Sequence, residues 1–310
     1  MTFKVGTLPL LLPRQFAAAA NAAFDATGSH LVAGNRVFTA NDAFFDLAEE
    51  TEATNVFRSV AHPQEPVVAQ LLRSGTLELV DLQTRQRTAV EGATARAAFS
   101  HSGHQLAVAA HGNGHIRLLD LKGKVTGTLE IPPELVGESA PSFVFSPDDK
   151  ELIVFPALHT RLVVPLDGGK TSRLPTLAGV KAVPFSQCHC LSVGESTFLY
   201  DHNAWWLVRA DGTVAWRGKG QHEAAAVVRG GAAIALIRQT KRSILFMDTA
   251  TGEERATLKT RPIFSPVGFA CSATLGAYAV AGGVELINLP PELETPAAAE
   301  KVKKKVKSKA

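Results

Sequence analysis

Residues able to do chemistry come closest together at Cys188-His189-Cys190, where two thiols and an imidazole form a donor set that suits zinc. One-residue spacing, with Cys271 far away, lacks the paired short loops of a structural zinc site. The competing reading is small residues filling a turn and the entry to a second strand. His101, His104, His111 and His115 also cluster, but they fall in or beside two turns that point to opposite ends of one supersecondary unit, so solvated turn histidines are expected. Asp148, Asp149 and Glu151 lack the alternating acidic loop of a calcium site and read as turn formers. No Gly-x-Ser-x-Gly elbow, phosphate-binding loop, His-Glu-x-x-His or dinucleotide fingerprint occurs. We assign no catalytic, metal or cofactor residue from the sequence.

Two features suggest contact with a partner. Trp205 and Trp206 are adjacent on a strand, so one faces each side of its sheet. Either both belong to the core, or one is an exposed aromatic anchor. The C-terminal segment from 296 to 310 carries six lysines, Lys303, Lys304 and Lys305 among them, against Glu300. That segment is +5 in a chain of net charge +3, which leaves −2 on the preceding 295 residues. A nearly neutral body does not describe a nucleic-acid groove. The tail either solubilises the chain or holds a weak anionic partner, such as an acidic protein, an RNA or a membrane surface, with salt-sensitive affinity.

The elements that must position these residues are short. From Ala95 to Leu129 four apolar runs alternate with small polar turns: Ala98-Phe99, then Leu106 to Ala110, Ile116 to Leu119 and Val125 to Leu129. A four-stranded sheet apolar on both faces cannot bury itself, and repetition is the remedy. Phe24, Phe57, Phe99, Phe145, Phe185, Val227 and Phe269 mark the end of each innermost run, in steps of 33, 42, 46, 40, 42 and 42 residues. The pattern predicts an all-β fold, a single β-propeller of seven four-stranded blades over residues 1–290. Blade five starts at Val183-Pro184-Phe185-Ser186. Blade seven ends at Val284 to Leu289 without a fourth strand, so Thr2 to Leu12 is expected to supply it and close the ring. Residues 291–310 read as a disordered tail rich in lysine.

Phe99-Ser100-x-x-Gly103, Phe145-Ser146-Pro147-Asp148-Asp149-Lys150-x-Leu152 and the strand ends at Asp81, Asp120 and Asp248 resemble WD-repeat and related bacterial propeller proteins. The resemblance covers residues 1 to about 290, and it implies a scaffold whose rims and channel hold other macromolecules, usually without catalysis. No strand ends in Trp-Asp, and Gly103-His104 and Gly114-His115 do not precede an innermost strand, so the chain reads as a divergent propeller. Three unpaired cysteines favour a reducing compartment, and the cytoplasm is expected. Pro9, Pro13 and Arg14 interrupt the resemblance of the N-terminus to a secretory signal, and no apolar run is long enough to span a bilayer. The leading expectation is a non-enzymatic docking platform for a protein partner whose identity the residues do not reveal. The alternatives are a propeller hydrolase or lactonase with a metal in the channel, and nucleic-acid or membrane association through the tail.

Overall fold

The protein is described by a computed structural model over residues 3–9, 22–34, 36–41, 43–47, 56–92, 94–157, 160–174, 189–263, 269–280 and 283–294. Strand β1 (Gly6–Pro9) comes first in the chain but belongs to the last blade. Blade one holds β2 (Ala23–Phe24), β3 (His30–Ala33), β4 (Arg36–Thr39) and β5 (Phe44–Asp46). Blade two holds β6 (Val56–Ala61), β7 (Val67–Leu72), β8 (Leu77–Asp81) and β9 (Arg87–Val90). Blade three is β10 (Arg96–Phe99), β11 (Leu106–Ala109), β12 (His115–Leu119) and β13 (Val125–Glu130). Blade four is β14 (Ser142–Phe145), β15 (Glu151–Ala157), β16 (Thr160–Pro165) and β17 (Ser172–Leu174). Blade five is β18 (His189–Val193), β19 (Ser196–Tyr200), β20 (Ala204–Val208) and β21 (Val214–Lys219). Blade six is β22 (Ala224–Val228), β23 (Ala233–Arg238), β24 (Ser243–Asp248) and β25 (Glu254–Lys259). Blade seven is β26 (Ala270–Cys271), β27 (Leu275–Val280) and β28 (Gly283–Asn288), completed by β1 with Leu8 opposite Val284.

The ring follows from how these strands distribute their side chains. Successive residues of a strand face opposite sides, and here both sides are apolar. Leu31 and Ala33 pack against blade seven while Val32 between them packs against blade two. Leu106 and Val108 face blade two, and Ala107 and Ala109 face blade four. The described residues form seven buried clusters, each straddling one pair of neighbouring blades. Each inner strand approaches the next around the ring, and β26 approaches β2. Phe3 seats the N-terminus edge-on against Phe24, with ring centroids 5.9 Å apart. The outer latch is polar: Arg261 donates to both Thr7 and Glu285, and Thr7 donates to Glu285 at 2.6 Å. At the other end the chain follows the propeller to a 3-10 turn at Pro291–Glu294, where Leu293 is buried in the blade six–seven interface. Among the described residues no helix is long and apolar enough to cross a membrane.

The turns explain which repeated residue matters. After the inner strand, one side chain accepts the returning backbone N–H of the hairpin. Asp25 does this for His30, Ser100 for Gln105, Ser146 for Glu151 and Ser272 for Leu275. His62 has the same place in blade two, accepting from the Gln64 and Glu65 amides on Nδ1. In these five blades the position holds an acceptor, and this corrects two of the sequence markers. Phe57 lies at the start of β6 beside a register shift, with Ala61-His62 at the turn. Phe269 precedes β26, whose turn is at Cys271-Ser272. Phe185, Val183 and Lys303 to Lys305 lie outside the described residues. Blade five's inner strand is His189–Val193, so His189 and Cys190 are on the strand itself and not in its turn. The aspartates at the ends of third strands cap the next hairpin: Asp81 accepts from Gln83 and Thr84, Asp120 from Lys122 and Lys124, and Asp248 from Ala250 and Thr251.

Two predictions follow from this construction. Deleting residues 1–9 removes β1 and Phe3 together, and the thermal midpoint of the purified protein is expected to fall by more than about 10 °C. A midpoint unchanged within about 2 °C would show that the latch carries no stability. Gly103 has φ +78°, and a Cβ there would overlap the buried His62 ring, whose Nε2 donates to Gly103 O at 3.0 Å. Gly103→Ala is expected to cost about 1–3 kcal/mol in urea unfolding, against less than about 0.5 kcal/mol for Gly112→Ala relative to its own left-handed strain, because nothing crowds Gly112.

Candidate functional site

Inner strands or their turns from all seven blades line a central channel of about 1220 Å³. Among the described residues its charged lining is Asp25, Arg58, Arg96 and Arg229, with no lysine or glutamate. Asp25 is already committed, since it accepts from the His30 amide at 2.9 Å, from Thr27 Oγ1 at 2.7 Å and from His30 Nδ1 at 3.1 Å. Burial opposes ionisation of Asp25, but these hydrogen bonds prevail and hold its carboxyl below the usual range. Arg58 has no hydrogen bond or ion pair among the described residues. The channel therefore presents an excess of positive charge.

Arg58 and Arg96 act on one region of blade five. Arg96 donates to His189 Nδ1 at 3.2 Å, which requires that nitrogen to be unprotonated. Burial, and after it the charges of Arg96 and Arg58, push His189 down to about 3. Its ring stacks on Tyr200, with centroids 5.0 Å apart and planes at 21°. Burial pushes the Cys190 thiol up to about 12 despite the opposing pull of the two arginines. No carboxylate figures among the leading influences on either group.

At the mouth formed by the hairpin turns, His101 reaches from blade three to its two successors in the ring. Its Nδ1 lies 3.2 Å from Asp149 Oδ1 in blade four, and its Nε2 lies 2.9 Å from Ser192 Oγ in blade five. Both Asp149 oxygens are fixed from the blade-three turn, Oδ1 by the His101 amide and Oδ2 by the Ser102 amide, each at 2.7 Å. Spacing along the chain offered no hint of this juxtaposition, since the three residues are 43 or more positions apart across three repeats. The one available signal was the run of polar residues just after the inner strands.

The structure places Trp205 and Trp206 at 7% and 8% exposure, in two different interblade clusters. They do face opposite sides of the sheet, but a propeller blade has a neighbour on each side, so neither presents an exposed aromatic anchor. Gly218 opposite Trp205 leaves room for the indole, which a Cβ there would overlap. His101, His104, His111 and His115 are all exposed; His101 bridges to blades four and five, and His111 accepts from the Ala140 amide at the entry to blade four. Cys188 lies outside the described residues. Among the described residues no group of three His, Cys, Asp or Glu side chains stands close enough to hold a metal ion. Cys271, like Cys190, has its thiol pushed up by burial, which keeps both in the protonated form that binds metal poorly.

No family model matches the chain, and no curated protein matches it. Solved structures do. A chain of hydrazine synthase from Kuenenia stuttgartiensis is similar with a TM-score of 0.66 and 14% identity, over 91% of this chain and 97% of that one. A chain of a mitotic checkpoint complex is similar with a TM-score of 0.66 and 11% identity, over 93% of this chain and 94% of that one. Identities this low establish a shared fold and nothing finer, and the fold is a seven-bladed β-propeller.

Proposed function

We propose that the chain is a divergent, WD-repeat-like propeller of the cytoplasm that serves as a docking platform in a protein assembly, and that its channel receives an acidic group of the partner. The observation that carries this reading is the charge of the channel: three arginines from three different blades, against one aspartate whose oxygens are already taken. Guanidinium groups pair with carboxylates in a planar, two-point geometry, and they do so more strongly where walls exclude water. Arg58 lines the channel with no hydrogen bond or ion pair among the described residues, so an incoming carboxylate would supply its counter-charge. A propeller chain of the same fold occurs in a mitotic checkpoint complex, which supports the assembly reading at the level of fold. The reading needs no catalysis. The lysine segment around Lys303 to Lys305 is proposed as a second, weaker contact with an anionic partner.

Affinity capture from cells of the native host, with the full chain as bait, tests both parts. Wild type is expected to recover a reproducible partner, and Arg58→Glu to lower that recovery by at least about tenfold, the loss of one charge-assisted contact. Recovery equal for wild type and Arg58→Glu would overturn the channel assignment. A chain lacking residues 296–310 is expected to lose partner binding mainly at low salt; equal binding at all salt concentrations would remove the tail from the account.

A further inference from the structure

We propose that Ser192, His101 and Asp149 form an acyl-transfer triad at the channel mouth that hydrolyses small carboxylic esters. The inference goes beyond the docking reading and stands on separate residues. It begins with Asp149, whose two oxygens are oriented by the His101 and Ser102 amides. Burial raises the cost of charging this carboxyl, but the hydrogen bonds from Ser102 and His101 outweigh it and keep Asp149 below the usual carboxylate range. An ionised carboxylate only accepts, so the proton of a neutral His101 ring must be on Nδ1, facing Asp149 at 3.2 Å. Nε2 then has a free lone pair, and the group it meets at 2.9 Å is the Ser192 hydroxyl, which donates. Serine, imidazole and carboxylate thus connect through the two different ring nitrogens in the order that general-base activation of serine requires.

Access and surroundings fit the same chemistry. His101 and Ser192 line the channel, and the His101 side chain is 38% exposed, so a small substrate reaches them from the mouth. Phe99, Leu191 and Val227 add apolar wall for an acyl chain. Just beyond Ser192 the chain turns at Gly194, φ +56°, whose amide has no hydrogen bond among the described residues and which lines the same mouth, as does Arg229. The Gly194 amide is the donor available to a developing oxyanion.

The reaction is balanced by water alone. Ser192 Oγ bonds to the ester carbonyl carbon as its proton passes to His101 Nε2. The carbon–oxygen bond to the alcohol then breaks, and His101 returns the proton to the departing oxygen. Water attacks the acyl-Ser192 carbonyl, gives a proton to His101, and the carboxylic acid leaves as Ser192 regains its proton. Asp149 stabilises the imidazolium throughout and exchanges no proton. Nothing is oxidised or reduced.

The test uses the purified full chain, a fluorophosphonate probe with the labelled residue located by mass spectrometry, and p-nitrophenyl butyrate as substrate. Labelling of Ser192 is expected, with kcat/KM falling at least about 100-fold in Ser192→Ala and in His101→Gln. Asp149→Asn, if it folds, is expected to fall comparably, and EDTA to change nothing. Thermal midpoints of Ser192→Ala and His101→Gln within a few degrees of wild type separate lost chemistry from lost fold. Wild type that leaves Ser192 unlabelled and hydrolyses the ester no faster than Ser192→Ala would overturn the proposal and leave His101 as a strut between blades. Because Arg58 is not part of the relay, failure here leaves the partner-capture result untouched, and the reverse holds as well.

Discussion

A sheet that is apolar on both faces has nowhere to hide except between two copies of itself. Every blade of this protein is such a sheet, and its buried clusters lie between blades, not within them. No blade therefore has a complete core of its own. Seven of them in a closed circle satisfy all fourteen faces, and an open row would leave two end faces in water. Fully burying a single large aliphatic or aromatic side chain contributes roughly 1.5–3 kcal/mol, so an open interface carrying Phe24, Leu31, Phe38 and Leu286 is ruinous for a marginally stable chain. Closure by β1 against β28 joins the two ends of the chain within one sheet, and that pairing turns the row into a ring.

Closure also creates the channel. Inner strands are thin and lie side by side, and the space they enclose is lined by whatever their exposed residues and turns happen to carry. Turn capping fills one mouth with acceptor side chains in five of the blades, where a side chain takes up amides of the hairpin turn. Asp25, His62, Ser100, Ser146 and Ser272 are there for that reason. The residues next to them are not so constrained. His101 follows Ser100 and Asp149 ends the turn that Ser146 begins, and in the ring His101 meets both Asp149 and Ser192. A polar rim demanded by hairpin geometry thus becomes a place where charge and hydrogen bonding can be spent on a ligand. Deeper in, Arg58 and Arg96 act on a neutral His189, a protonated Cys190 and Tyr200, and Arg58 has no ion pair among the described residues to offset its charge.

Much of the fold was legible before any coordinates. Apolar runs of four to seven residues, glycine-bearing turns and a period near 42 residues identify blades, and the missing outer strand of blade seven points to Gly6–Pro9. The errors have a common cause. Phenylalanine marks the inner strand's end in blades one, three and four only, while the acceptor that follows the strand is histidine in blade two and serine after Cys271 in blade seven. In blade five the same marker places the inner strand near Phe185 and His189 and Cys190 in a turn, whereas both lie on β18 and Cys190 lines the channel. The tryptophans show the complementary limit. Alternation along β20 correctly sends Trp205 and Trp206 to opposite sides, but only the presence of a blade on each side makes both of them core.

By itself the sequence determined the repeat and the strand order within each blade, because those depend on neighbours a few residues away: alternation, left-handed glycines and Asx or Ser caps act locally. Which side chains meet across the channel was decided only by the tertiary structure. Arg96 and His189 are 93 residues apart, and His101 and Ser192 are 91 apart, in blades that are not even adjacent. Such contacts are set by the radius of the ring and the angle between its blades, which are properties of seven packed interfaces together and are written in no single segment.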